Sequence, residues 1–248
     1  MEITAVLFDM GGTLLSYENR QQMGSAFVTA LRRLGLDPAD PEVVEARHRA
    51  GEEVEREYAT RRSFIHRDLF RDRVSRTAAL LGVTVPAEVL DRFDDEQRTA
   101  VVEHLAPMPG VHETLRLLRE RRIYVAVVSN ADDDYLEPAL ARHGLTPLLD
   151  HWTSSEEADS CKPDERIYEY SLAKAGRSAA EALFVGDSPA HDVAGARRVG
   201  MRSVLIGEPG SVAPLSSGLR ADEPDWQVRE LLELIPIVDA ANRRRAKR

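Results

Sequence analysis

The chain has 248 residues, 43% of them hydrophobic, which suits one core domain plus a smaller inserted or appended one. Its 33 basic and 42 acidic residues leave a formal charge of −9, which argues against nucleic-acid or membrane-surface binding. The single cysteine, Cys161, excludes an intrachain disulfide. No apolar run approaches the roughly 20 residues of a membrane span. The first residues show no secretion-signal pattern, so a cytoplasmic protein is expected.

In chain order, the first apolar run is Ala5-Val6-Leu7-Phe8, read as a buried strand because it is aliphatic and ends at turn-forming residues. From Ser16 to Ala106 no strand is read. Apolar residues there recur at helical spacing: Phe27, Leu31 and Leu34, then Phe64, Leu69, Phe70 and Val74, then Leu80 and Leu81. Gly35, Pro38, Pro41, Gly82 and Pro86 punctuate them, giving an insertion of three to five helices. Pro107 to Gly110 reads as its exit hinge, with an entry hinge near Ser16-Tyr17. A helix over Val111 to Arg122 leads to a second buried strand, Tyr124 to Val128. A helix over Ile167 to Ala175 precedes a third strand, Ala182 to Val185. A helix over Ala190 to Val199 precedes a fourth, Ser203 to Ile206. Gly207 to Asp225 reads as a loop before a final helix, Val228 to Leu234, and the arginine-rich end, Arg243 to Arg248, as a solvated tail. Alternating strands and helices imply a doubly wound α/β parallel sheet.

Chemistry-bearing residues cluster just past strand ends, where such sheets place their ligands. In Phe8-Asp9-Met10-Gly11-Gly12-Thr13, an Asp closes a buried strand and Gly-Gly supplies a sharp turn with backbone N–H groups nearby. A carboxylate so exposed can serve as a nucleophile beside an anion site. Val128-Ser129-Asn130 ends the next strand with a hydroxyl able to bond a phosphoryl oxygen. Cys161-Lys162-Pro163-Asp164 offers a lysine that can neutralise both nucleophile and substrate. In Gly186-Asp187-Ser188-Pro189-Ala190-His191-Asp192, two acids five residues apart can share a hard cation with Asp9, which suits Mg²⁺. Each has a plainer reading as turn, cap or surface chemistry when taken alone.

Taken together, the order and spacing of the four motifs resemble the haloacid dehalogenase-like superfamily. Ser155-Glu156-Glu157, Ile167-Tyr168, Gly195-Ala196-Arg197 and Gly200-Met201 extend that resemblance. It implies a Rossmann-like core (residues 1–15 and 107–248) with an inserted all-helical cap (16–106). It further implies Asp9 as nucleophile, Ser129 and Lys162 as phosphoryl ligands, and Gly11, Gly12 and Asn130 lining the substrate. Asp9, the Gly11 carbonyl, Asp187 and Asp192 are the implied Mg²⁺ ligands. The expected protein is a Mg²⁺-dependent phosphatase of a small phosphorylated metabolite, acting as monomer or homodimer.

Position 11 departs from the pattern. Most phosphatases of the family carry an acid/base Asp there, a role Gly11 cannot serve. The substrate's leaving group is then expected to be a good one, or His191, Asp132 or Asp133 relays the proton. An aspartate placed at position 11 is expected to raise activity on alkyl phosphates if it fits. A catalytically weak binding or regulatory protein remains an alternative. So does a 2-haloacid dehalogenase, although family members of that type need no metal and usually lack the paired acids. A phosphonate hydrolase would need a cap lysine, and the only lysines are Lys162, Lys174 and Lys247. The cap arginines Arg61, Arg62, Arg67, Arg71, Arg73 and Arg76 could hold an anionic substrate, but a solvated helix face is the favoured reading.

Overall fold

Ala5–Phe8 (β1) is solvent-free on both faces, as an apolar run in the middle of a parallel sheet must be. A computed structural model describes residues 2–207 and 218–243. After β1 come a two-residue strand β2 (Leu15–Ser16) and five helices: α1 (Arg20–Met23), α2 (Ser25–Arg33), α3 (Pro41–Tyr58), α4 (His66–Leu80) and α5 (Ala87–His104). Strand β3 (Ala106–Pro107) pairs antiparallel with β2, so the chain enters and leaves the helical insertion side by side.

The rest alternates: α6 (Val111–Glu120), β4 (Tyr124–Ser129), α7 (Asp133–Arg142), β5 (His151–Ser154), α8 (Glu165–Ala175), β6 (Ala182–Gly186), α9 (Ala194–Arg198), β7 (Arg202–Ile206), β8 (Trp226–Val228) and α10 (Leu234–Arg243). Six strands form one parallel sheet in the order β5-β4-β1-β6-β7-β8. The order reverses at β1, which places a crevice beyond the carboxyl ends of β1, β4 and β6.

Side chains alternate across the sheet with the two-residue period of a strand. Val6 and Phe8 of β1 join a core layer with Leu115, Leu136 and Leu234, while Ala5 and Leu7 join the opposite layer with Ile167, Tyr168 and Phe184. The insertion carries its own apolar clusters, one around Ala30, Val74 and Phe93 and one around Val54, Tyr58 and Leu69. Leu80, expected in that core, is exposed at the end of α4.

Three expectations are corrected. The edge strands β5 and β8 were not anticipated. The expected Val228–Leu234 helix is replaced by β8, a 3-10 turn over Leu231–Glu233 and α10, which starts at Leu234. Pro236 lies in the first turn of α10, where its missing N–H costs no helical bond, so the helix begins there instead of ending before it. The expected helix over Ala190–Val199 is divided into a π-type turn, Pro189–Val193, and α9. Part of the loop read over Gly207–Asp225 and residues 244–248 of the expected tail lie outside the described residues. Among the described residues no helix is long and apolar enough to cross a membrane.

Candidate active site

All five side chains expected to carry chemistry lie at the carboxyl edge of the sheet. Asp9 follows β1 directly, and its N–H donates to the Val185 carbonyl of β6 at 2.9 Å. Ser129 is the last residue of β4, Lys162 lies in the loop after β5, and Asp187 follows β6. Asp192 belongs to the π-type turn. Lys162 Nζ donates to Asp9 Oδ1 at 2.6 Å and to Asp192 Oδ1 at 2.7 Å, with all three side chains almost wholly buried. Thr13 Oγ1 approaches Asp9 Oδ2 at 3.4 Å. Ser129 is buried.

Oxygens of Asp9, Asp187 and Asp192 lie within 4.8 Å of one another. Three carboxylates facing one ammonium leave a surplus of negative charge, and the titration of the acids reflects it. Burial, then the charge of Asp192 added to it, raises Asp9 to about 6 against the pull of Lys162. Burial, then Asp9 and Asp192, raises Asp187 to about 8. Burial works against the charge on Lys162, yet Asp192 and Asp9 hold it above its ordinary value. An all-oxygen donor set short of positive charge fits a hard divalent cation.

The loop carrying Lys162 is held by its own backbone. Asn130 Oδ1 accepts from Lys162 N at 2.6 Å, and Asn130 Nδ2 donates to Lys162 O at 3.0 Å. Asn130, expected to line the substrate, is thus committed to aiming the lysine. His191 Nδ1 lies 3.0 Å from the same Lys162 carbonyl, which can only accept, so this nitrogen carries the proton. Ser188 N donates to Asp192 Oδ2 at 3.0 Å and fixes the second acid.

The other two relay candidates are also engaged. Asp132 is fully buried and accepts the backbone N–H groups of His66 and Arg67 at 2.7 and 2.8 Å. Asp133 Oδ1 accepts from Ser154 Oγ at 2.5 Å. Asp132 therefore clasps the N-terminus of α4, and so holds the insertion to the core. Arg67 with Asp134 and Arg62 with Asp164 span the same junction. Arg61 and Arg76 both pair with Glu57 within the insertion, and Arg71 pairs with Asp91. These arginines form ion pairs, some of them across the junction, and none stands as a free cation over Asp9.

Gly11 and Gly12 are demanded by the geometry. Gly12 has φ of +86°, and a Cβ there would lie 2.2 Å from Asp187 Oδ2. A Cβ on Gly11 would lie 1.9 Å from the hydroxyl oxygen of Tyr17. An aspartate at position 11 fits only if the Tyr17 side chain moves, so the condition set on the expected gain is not met with Tyr17 in this position. From the sequence alone, Tyr17 is only a hinge residue. Nothing in its spacing marks it, because its approach to Gly11 is made by the turn into β2. Beside the site, a cavity of about 220 Å³ is lined by Arg61, Arg62, Asn130, Lys162, His191 and Arg198 among others.

An α/β enzyme with a cluster of carboxylates at the sheet crevice is the class that fold and site define. The family model of haloacid dehalogenase-like hydrolases matches residues 3–200. A ribulose-1,5-bisphosphate 5-phosphatase of Halopiger xanaduensis is 32% identical over 206 residues, which cover 82% of this chain and 84% of that protein. An (S)-2-haloacid dehalogenase of a Pseudomonas species is 31% identical over 137 residues, 55% of this chain and 57% of that one. Among solved structures, a HAD phosphatase of Thermococcus onnurineus superposes with a TM-score of 0.65 at 26% identity, covering 96% of this chain and 98% of that one. The chain belongs to the haloacid dehalogenase-like hydrolases.

Proposed function

We propose that the protein is a Mg²⁺-dependent phosphatase of a small phosphorylated metabolite, working through an aspartyl-phosphate on Asp9. The observation that carries this reading is the buried Asp9–Lys162–Asp192 bridge, with Asp187 completing an oxygen cluster short of positive charge. Asp9, the Gly11 carbonyl, Asp187 and Asp192 would hold Mg²⁺, which supplies the charge that lets a dianionic phosphoryl group approach a carboxylate.

Asp9 attacks phosphorus, and Lys162 and Ser129 bind the oxygens of the transferred group. Lys162 also holds the Asp9 carboxyl ionised at the pH of reaction. Asn130 and the His191 ring keep the lysine loop from shifting, and a misplacement of about 1 Å in such a site costs on the order of 10²-fold in rate. The division into a core of residues 1–15 and 107–248 and a cap of 16–106 belongs to the same reading. The Asp132 clasp then describes the closed cap, which excludes water from the site.

The phosphatase relative supports this choice, and the acid pair favours it over dehalogenation. The test is a panel of phosphate monoesters assayed with Mg²⁺ and with excess chelator, alongside Asp9→Asn. Phosphate release that needs Mg²⁺ and disappears in Asp9→Asn is expected. Halide release from 2-haloacids in excess chelator, with no phosphate released from any ester, would establish the dehalogenase reading instead.

A further inference from the structure

Tyr17 brings a hydroxyl to the Gly11 turn beside the carboxylate cluster. Its oxygen occupies the space a side chain at position 11 would take, with Cζ 2.5 Å from that Cβ position. A Cβ on the next residue, Gly12, would meet Asp187 Oδ2, so the hydroxyl stands at the turn that borders the cluster. The ring is fixed from behind, half-buried against the main core layer and with the Arg20 guanidinium 6.0 Å from its centroid.

The direction of approach matters. Asp9, Ser129 and Lys162 come from the sheet edge, whereas Tyr17 sits just past β2, on the connection that leads into the helical insertion. In a displacement at phosphorus the leaving oxygen departs opposite the attacking one. With Asp9 attacking from the sheet, that oxygen faces the insertion side, where Tyr17 stands.

We propose that Tyr17 is a further catalytic residue, whose hydroxyl donates a hydrogen bond to the leaving oxygen of the phosphate ester and lets the enzyme turn over esters with basic leaving groups. This rests on the phosphatase reading above. An Asp9 oxygen forms a bond to phosphorus, and the ester P–O bond breaks with its electron pair on the leaving oxygen. Tyr17 shares its proton with that oxygen but keeps it, and a water molecule supplies the proton that neutralises the departed group. A hydrogen bond to developing charge is worth most when that charge is large, so its benefit grows with the basicity of the leaving group.

The test is Tyr17→Phe, which keeps the ring and deletes only the hydroxyl, assayed on aryl and alkyl phosphates of graded leaving-group pKa. The expected kcat/KM loss is on the order of 10–10²-fold on alkyl phosphates and under about 3-fold on nitrophenyl phosphate, carried mainly by kcat. The dependence of rate on leaving-group pKa steepens, while melting temperature and its rise with Mg²⁺ stay within about 2 °C of the parent protein. A uniform loss across the series, or none, overturns the proposal. A parent protein inactive on the whole series overturns the phosphatase reading and this one with it. A double-mutant cycle reads the packing separately: Gly11→Ala alone is expected to destabilise, and Tyr17→Ala in the same chain to rescue it. Additive effects would show that Tyr17 does not occupy that space.

Discussion

Replacing Asp132 with alanine tests how the helical insertion is held to the sheet domain. The carboxylate is inaccessible to solvent, accepts two backbone N–H groups at 2.7 and 2.8 Å, and stands at the N-terminus of α4. Hydrogen bonds to a charged acceptor contribute about 1.5–3 kcal/mol each, and deletion also leaves two part-buried donors unpaired. Water entering the vacated space recovers part of this, leaving an expected loss of about 3–5 kcal/mol, a large share of the roughly 5–15 kcal/mol that holds a domain folded. The assay is urea unfolding followed by amide exchange. The expected result is a lower midpoint together with faster exchange across α4 than across β1 and β4. Asp132→Asn retains one acceptor oxygen but turns an amide N–H toward a backbone N–H, and is expected to lose about half as much. Burial opposes the charge on Asp132, but His66 and the backbone N–H groups of Arg67 and His66 hold its pKa below the ordinary 3.8. The contribution is therefore full above that value and lost as pH falls through the lower folded one, so parent and variant converge in acid. A loss under about 1 kcal/mol at pH 7, or equal exchange in insertion and sheet, would refute the clasp.

Three further outcomes follow from the site. Asn130→Ala releases the Lys162 backbone and is expected to cut kcat by about 10²-fold, with unchanged secondary structure by circular dichroism; activity within 3-fold of the parent would mean the lysine is aimed by other contacts. Gly12→Ala meets both the left-handed backbone, at about 1–2 kcal/mol, and Asp187 Oδ2, and is expected to abolish the thermal shift caused by Mg²⁺; an intact shift would place the cation elsewhere. The pH dependence of Mg²⁺ binding follows from Asp9 near 6 and Asp187 near 8. Both folded values lie above the ordinary 3.8, so the metal-free protein loses stability as pH rises from about 4 to 8, and the cation must displace protons wherever the pH is below about 8. At pH 8 and 100-fold excess over Kd, Mg²⁺ should add about 2.7 kcal/mol, roughly 5–10 °C in Tm, with a clearly smaller shift at pH 6 for the same concentration. Calorimetry showing equal affinity at both pH values would contradict the coupling.

What the amino-acid sequence determined by itself is the set of central strands and the residues at their ends. Ala5–Phe8, Tyr124–Val128, Ala182–Val185 and Ser203–Ile206 are continuous apolar runs because each is covered on both faces, and burial of that kind shows directly in residue type. Asp9, Ser129, Asp187 and Asp192 were legible because each adjoins such a run or the turn after it, whereas Lys162 follows an edge strand and was legible only through its place in the order of the four motifs. The edge strands were not legible. His151-Trp152-Thr153-Ser154 and Trp226-Gln227-Val228 are only partly buried and carry polar residues, so no apolar period marks them.

Tertiary structure alone decided what supports the site. Tyr17 fills the space beside Gly11, Asn130 grips the backbone of Lys162, and Asp132 clasps α4 from 66 residues away in sequence. Each of these is a polar side chain of an ordinary loop or turn type, and its role depends on what packing brings beside it: for Asn130 and Asp132, distant backbone atoms within about 3 Å. Local sequence reports burial and turn chemistry, but a contact across the fold exists only once the sheet and the insertion have closed on each other.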